Sequence, residues 1–281
     1  MAKIKNPLTI VQSGGGTLDN YGTVKYLDDN NVEQTLTLAN EDDFLELAST
    51  IEYADPIFHI NGVNIPRSKI TEVTIADGVN YLPDYFLFRA ANTTKVTLPN
   101  TIHYIGTYVF SSSGVSNELN LSNVISVGNN FLYNMSSYNQ PVSLPRVEFI
   151  GNHFLASSVN FNSTVTINDS CKRIGTYFMY FCVIFAQSFS IPSGLEKVGN
   201  AQSNPGANFM HNCNNFVGPL VCNGPVENDA LVSNNTALTT NSASAPLYTT
   251  GVTLTGAYAQ KWKSAYGDLS SDPYRKLIVG S

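Results

Sequence analysis

Apolar and polar residues alternate in short triplets that recur at a nearly constant period. Val73-Thr74-Ile75, Val96-Thr97-Leu98, Leu119-Asn120-Leu121, Val142-Ser143-Leu144 and Val165-Thr166-Ile167 start 23 residues apart, and Phe189-Ser190-Ile191 follows after 24. Such a triplet puts its outer residues on one face of a strand and its middle residue on the other. A second phrase follows each triplet: Leu82-Pro83, Ile105-Gly106, Val127-Gly128, Ile150-Gly151, Ile174-Gly175 and Val198-Gly199. An aromatic phrase comes next, and it supplies Phe86, Phe110, Phe131, Phe154, Phe178 and, after an insertion around Asn200 to Gly206, Phe209. A fixed period of this length marks a solenoid of stacked coils.

The triplets are read as short parallel strands. Neighbouring strands lie about 4.8 Å apart, so six of them span roughly 25 Å. The glycine of the second phrase predicts a tight bend, and the aromatic phrase returns to the interior on a short helical turn. The six phenylalanines are the predicted core. The outward column is Thr74, Thr97, Asn120, Ser143, Thr166 and Ser190. It carries no charge and is the candidate binding surface.

Residues 1–55 read as an N-terminal attachment or capping module. Leu8 to Val11 predicts a short strand, Gly14-Gly15-Gly16 a flexible link, and residues 22–38 a hairpin that turns at Asp28-Asp29-Asn30-Asn31. The glycine triplet has no Lys-Ser or Lys-Thr after it, so it is not a phosphate loop. Asn40 is a good helix cap, with Glu41, Asp42 and Asp43 in a solvated first turn and the helix running to about Thr50. Residues 56–219 form the solenoid. Ile57 to Ile60 and Val63 to Ile65 flank Asn61-Gly62 as an atypical first repeat. Residues 220–281 are an irregular segment and a C-terminal cap. Thr255 is read there as the cap of a helix to about Tyr266 that packs Tyr258, Trp262 and Ala265, with a short strand at the end. Packing of Tyr258 and Trp262 and stacking on a sugar are both open, as are capping and partner attachment for the tail.

Composition narrows the function. Only 13% of residues are charged, 15 Lys and Arg against 21 Asp and Glu, for a net charge of -6. That excludes nucleic acid as a natural partner. No apolar run is long enough to insert in a membrane. The opening Met1 to Pro7 is basic but lacks the apolar stretch of a secretory signal. Export by cell lysis after assembly into a virus particle and retention in the cell are both open. The cysteines Cys171, Cys182, Cys213 and Cys222 show no zinc spacing. Cys182 and Cys213 occupy matching places in neighbouring coils, as buried thiols or as a disulfide.

No catalytic or metal constellation is legible. His59, His103, His153 and His211 have no metal-binding spacing, and His153 and His211 read as structural. No activated serine motif is present, and Asp84 and Glu148 fall at repeat positions that do not match, which does not suggest a facing glycosidase pair. Neither enzyme activity nor a cofactor is expected.

Val96-Thr97-Leu98-Pro99 with Ile105-Gly106-Thr107-Tyr108-Val109-Phe110 is the clearest copy of the repeat. Ser143-Leu144-Pro145 with Ile150-Gly151-Asn152-His153-Phe154 is another, and Ser190-Ile191-Pro192 with Val198-Gly199 a third. These phrases resemble the BspA-like leucine-rich repeats, as do Cys182 and Cys213 after their aromatic phrases. The resemblance implies an α/β solenoid: a leucine-rich repeat array with short parallel strands, here with a small N-terminal hairpin-helix module and a C-terminal cap. It implies surface adhesion or another protein interaction, without catalysis. Such proteins occur on bacterial surfaces and, with related repeats, among phage structural proteins. The expected role is a virion structural or adhesion protein, with other virion proteins or a host-surface protein or glycan as partner and a homo-oligomer compatible with it. A bacterial cell-surface adhesin and a cytoplasmic interaction scaffold are the alternatives.

Overall fold

The computed structural model describes residues 18–50, 54–198, 210, 213, 215–216, 218–223, 252–260 and 277–280. The strand at Leu8 to Val11, the glycine triplet, the insertion at Asn200 to Gly206, Phe209, His211, Trp262 and Ala265 lie outside the described residues.

Among the described residues the first elements are β1 (Gly22–Leu27) and β2 (Glu33–Leu38), an antiparallel hairpin. Its turn is held by the Asp28 carboxylate, which accepts from the amides of Asn30 and Val32, both at 2.9 Å. Those bonds favour the ionised carboxyl and hold its pKa below the usual value, the Val32 amide first. Asn40 then caps α1 (Glu41–Glu46), accepting from the Asp43 amide at 3.0 Å. The helix ends at Glu46, short of Thr50, because Leu47 and Ala48 leave it to meet the first coil: the Leu47 carbonyl accepts from the Leu87 amide, and Ala48 bridges Phe86. Asp43 is not a solvated first-turn acid. It is buried, and its two oxygens accept from the amides of Ala39 and Asn61. A second hairpin, β3 (Ile57–Ile60) and β4 (Val63–Pro66), turns at Asn61-Gly62, where both residues have positive φ.

A 3-10 turn, Arg67–Lys69, leads into the first coil. Each coil carries two strand positions. The first gives β5 (Ile70–Ile75), β7 (Lys95–Thr97), β10 (Val142–Leu144), β12 (Val165–Ile167) and β14 (Phe189–Ile191). The second gives β6 (Tyr81–Leu82), β8 (Tyr104–Ile105), β9 (Ser126–Val127), β11 (Phe149–Ile150), β13 (Arg173–Ile174) and β15 (Lys197–Val198). The continuous sheet is built from the second phrase, in the order β15-β13-β11-β9-β8-β6, all parallel. The triplets, expected to make that sheet, fall into shorter ones. β5 and β7 extend the hairpin in the order β2-β1-β5-β7, β10 pairs β12, and β14 continues into β16 (Leu220–Cys222), β17 (Val252–Thr255) and β18 (Leu277–Val279). Thr255 therefore ends a strand and is not the cap; helical residues begin only at Ala259 and Gln260, and the rest of the expected helix lies outside the described residues.

The break between β7 and β10 has a specific cause. The Asn117 side chain accepts from the Val96 amide at 2.8 Å and donates to the Val96 carbonyl at 2.9 Å. It occupies the edge of β7 where the next strand would pair. Leu119-Asn120-Leu121 forms no strand, yet keeps its leucines buried and Asn120 exposed.

The aromatic phrase is not a helical turn. Tyr85, Leu87 and Arg89 have positive φ, as do Tyr108, Phe110 and Ser112, then Asn130, Leu132 and Asn134, then His153, Leu155 and Ser157. Alternate residues are thus left-handed, a conformation that costs ordinary side chains energy. The alternation points successive amides in opposite directions. Left-handed residues donate to a neighbouring segment, as in Tyr108 to Asn129, Phe110 to Phe86 and His153 to Thr176. Residues between them close turns within their own coil, as in Phe88 to Tyr85 and Ala156 to His153.

The glycines of the second phrase also serve a different end. Gly106, Gly128, Gly151 and Gly175 do not have positive φ, but a Cβ on each would come within 2.4–2.6 Å of an atom of the preceding coil. They are required by close stacking, not by a bend. Beside them Asp84, Asn129 and Asn152 accept with their side-chain oxygens from the amides of Thr107, Asn152 and Thr176. Asp84 therefore belongs to this ladder.

Phe86, Phe110, Phe131, Phe154 and Phe178 are fully buried in one column, with ring centroids 5.0–6.1 Å apart. Burying each contributes on the order of 2 kcal/mol by transfer from water. A second buried column, Tyr138, Phe161, Phe185 and Phe216, runs parallel with centroids 5.7–6.4 Å apart.

Candidate functional site

The residues expected outside the triplets are outside. Thr97, Asn120, Ser143, Thr166 and Ser190 are exposed and Thr74 is half-buried, each between two buried apolar neighbours. Strand pairing sets Thr74 beside Thr97 and Ser143 beside Thr166. It does not bring all six into one ladder, because Asn120 lies outside any strand and Ser190 pairs with Val221. Asn120 donates to the Asn100 side chain at 2.6 Å, and Ser190 accepts from Asn223 at 3.3 Å.

The hairpin extends this face. Thr23 stands opposite Thr74 and Thr37 opposite Thr23, so four threonines, Thr37, Thr23, Thr74 and Thr97, cross the sheet in one row. The next outward row holds Lys25, Glu72 and Lys95. Glu72 lies 3.2 Å from the Lys25 ammonium and 2.6 Å from that of Lys95, and Lys25 also reaches Glu33 at 3.4 Å. The hydrogen bond from Lys95 is the main cause that holds the Glu72 carboxyl below its usual pKa. Two cations and two carboxylates pair among themselves, so this row keeps no net charge.

A second outward column contains aromatic rings. Tyr85 stacks on Tyr108 at 5.0 Å and 10°, and His153 on Tyr177 at 4.7 Å and 2°. Tyr133 meets His153 edge-on. Each stacked ring has one face against its neighbour and is half-buried, so the column contributes to the packing of successive coils. Burial holds the half-buried His153 below the usual histidine pKa.

The remaining feature is a cleft of about 290 Å³ between residues 54–55 and the first coil, lined by Ala54, Asp55, Arg67, Ser68, Arg89, Ala91 and Asn92. Arg67 is 6% exposed, and its guanidinium donates to the carbonyls of Ala54 at 2.9 Å and Phe88 at 3.2 Å. Burial lowers its pKa; Asp55 opposes that shift and Arg89 adds to it. The Asp55 carboxylate accepts from the Ser68 amide and hydroxyl. Arg89 lies over the Phe88 ring at 5.5 Å. Neither arginine stands out by motif. The available signal is positional: Arg89 occupies the left-handed place that holds Ser112, Asn134 and Ser157 in later coils.

Cys182 and Cys213 are buried as thiols in adjacent coils and donate to the carbonyls of Leu155 and Met179. Among the described residues, no group of three His, Cys, Asp or Glu side chains can hold a metal ion, and no helix is long and apolar enough to cross a membrane.

Stacked coils of about 23 residues, each with short parallel strands and an inward phenylalanine, define a leucine-rich repeat solenoid. The family described as BspA type Leucine rich repeat region matches this chain in six copies, over residues 64–186 and 127–202. A leucine-rich repeat protein from Bacteroides ovatus ATCC 8483, known from its crystal structure, is similar with a TM-score of 0.39 and 14% identity. The match covers 76% of this chain and 55% of that one, so this chain spans little more than half of its length. No curated protein matches the chain.

Proposed function

We propose that this chain is a non-enzymatic structural or adhesion protein of a virus particle, which presents the outward face of its coils to a protein or glycan partner. A leucine-rich repeat array implies protein interaction. The observation that carries the choice of face is that Thr97, Asn120, Ser143, Thr166 and Ser190 are all exposed, beside the mutually paired Lys25, Glu33, Glu72 and Lys95. Such a surface binds through many neutral hydrogen bonds and is not steered by charge.

The test has two arms. Antibody labelling of native particles in the electron microscope places the protein; label confined to the cell envelope or the cytoplasm refutes the virion role. Adhesion of the wild-type chain and of a Ser143→Arg, Thr166→Arg variant then tests the face. Loss of adhesion in the variant and weak salt dependence in the wild type are expected. Unchanged adhesion in the variant, or wild-type affinity that falls steeply with ionic strength, refutes the assignment of the surface.

A further inference from the structure

We propose that Asn61 modifies itself, losing its side-chain amide to become aspartate or isoaspartate, and that this change loosens the joint between α1 and the β3–β4 hairpin. Nothing in it depends on the adhesive reading. Only Asn61 and Asn223 precede a glycine in this sequence. Asn223 is half-buried, and its side-chain amide donates to Ser190 at 3.3 Å. Asn61 and Gly62 are both exposed at the tip of the hairpin, with φ of 46° and 76°. Among the described residues no hydrogen bond holds the Asn61 side chain. A Cβ on Gly62 would meet nothing within 4 Å, so the nitrogen beside it is open to water and to that side chain.

The reaction needs only water. The Gly62 amide nitrogen attacks Asn61 Cγ, a C–N bond closes a five-membered imide, and the Asn61 side-chain nitrogen leaves as ammonia with the proton that Gly62 gives up. Glycine favours this because no side chain shields its nitrogen. Water then opens the ring. Breaking the new bond to Cγ gives aspartate. Breaking the bond to the main-chain carbonyl carbon gives isoaspartate, whose main chain runs through Cβ and Cγ. Nothing is oxidised or reduced. Both products put a carboxylate near Asp43, which is buried and accepts from the Asn61 main-chain amide at 2.8 Å. The new charge repels the old one, and the longer isoaspartate main chain displaces the turn that aims this amide. A buried carboxylate that loses a donor is costly to keep. Asp43 lies on α1, and Leu47 after that helix accepts from the Leu87 amide of the first coil. The change at Asn61 is therefore felt where the N-terminal hairpins join the solenoid.

The full chain is aged in its folded state in mildly alkaline buffer, beside a sample held in denaturant. Peptide mass mapping follows each asparagine, and an isoaspartyl methyltransferase with a labelled methyl donor counts isoaspartate. Conversion of residue 61 in the folded chain, ahead of every other asparagine, is expected. The aged chain is expected to show a downward shift of its unfolding midpoint and faster hydrogen exchange at the Ala39 and Asn61 amides that Asp43 holds. Asn61→Gly keeps the positive φ and the main-chain donor but has no side-chain amide, so its midpoint and exchange are expected to stay constant on ageing. A folded chain that keeps Asn61 intact while the denatured sample converts overturns the proposal. So does conversion that leaves the midpoint and both amides unchanged, or an equal decline in Asn61→Gly.

Discussion

Gly151→Ala separates two accounts of the repeated glycine by the sign of its effect. If the glycine served a bend, its ordinary φ would accept alanine, and the less flexible unfolded chain would raise stability by about 0.4–1 kcal/mol. If the coils stack too closely for a side chain, the new Cβ lies 2.6 Å from the Gly128 carbonyl carbon and 2.7 Å from both the amide nitrogen and the side-chain oxygen of Asn129. Ordinary contact begins at 3.4 Å, so the coils must part by several tenths of an ångström. Overpacking of this kind costs about 1–3 kcal/mol. Parting also stretches the bonds from Gly151 to Val127, at 2.9 Å, and from Asn152 to the Asn129 side chain, at 2.8 Å. Weakening them adds on the order of 1 kcal/mol. The expected loss is about 2–4 kcal/mol, a large share of the stability of an ordinary domain. Urea unfolding followed by circular dichroism measures it. Gly62→Ala is the control: its Cβ meets nothing within 4 Å, but its φ is +76°, so a loss of about 1 kcal/mol from backbone strain alone is expected. A Gly151→Ala midpoint equal to or above that of the wild type refutes the stacking account.

Phe154→Ala empties a site between Phe131 and Phe178, whose ring centroids lie 5.8 and 5.0 Å away, and is expected to cost about 3–5 kcal/mol in the same assay. A loss below about 1 kcal/mol contradicts a continuous aromatic core. The four cysteines are buried, and burial disfavours the thiolate, raising Cys171 to about 11, Cys222 to about 12 and Cys182 well above its ordinary value. An aromatic disulfide reagent at pH 8 is therefore expected to label none in the folded chain and all four in denaturant; rapid labelling of the native protein contradicts this.

The period, the inward phenylalanines and the outward polar column were legible because they depend on alternation within a few residues. Which phrase builds the long sheet was not. Both phrases are apolar enough to pair, and the choice falls to contacts between coils, above all the Asn117 side chain at the edge of β7. Thr23 and Thr37 alternate visibly in their strands, but their place beside Thr74 depends on pairing across about fifty residues. The column Tyr138, Phe161, Phe185 and Phe216 also repeats at the coil length until the final insertion. No shared motif surrounds it, so it reads as scattered aromatics. The Arg67 and Arg89 cleft joins two elements that no spacing rule connects.

The interlocked alternating backbone sets how this protein can change in length. A coil touches the one before and the one after, so adding or removing a whole coil preserves every contact type and alters only reach. A single inserted residue inside the alternating stretch would turn each later amide the wrong way and shift the phenylalanine, the glycine and the asparagine of that coil together. Variants should therefore differ by whole units of about 23 residues, or carry their extra residues between coils.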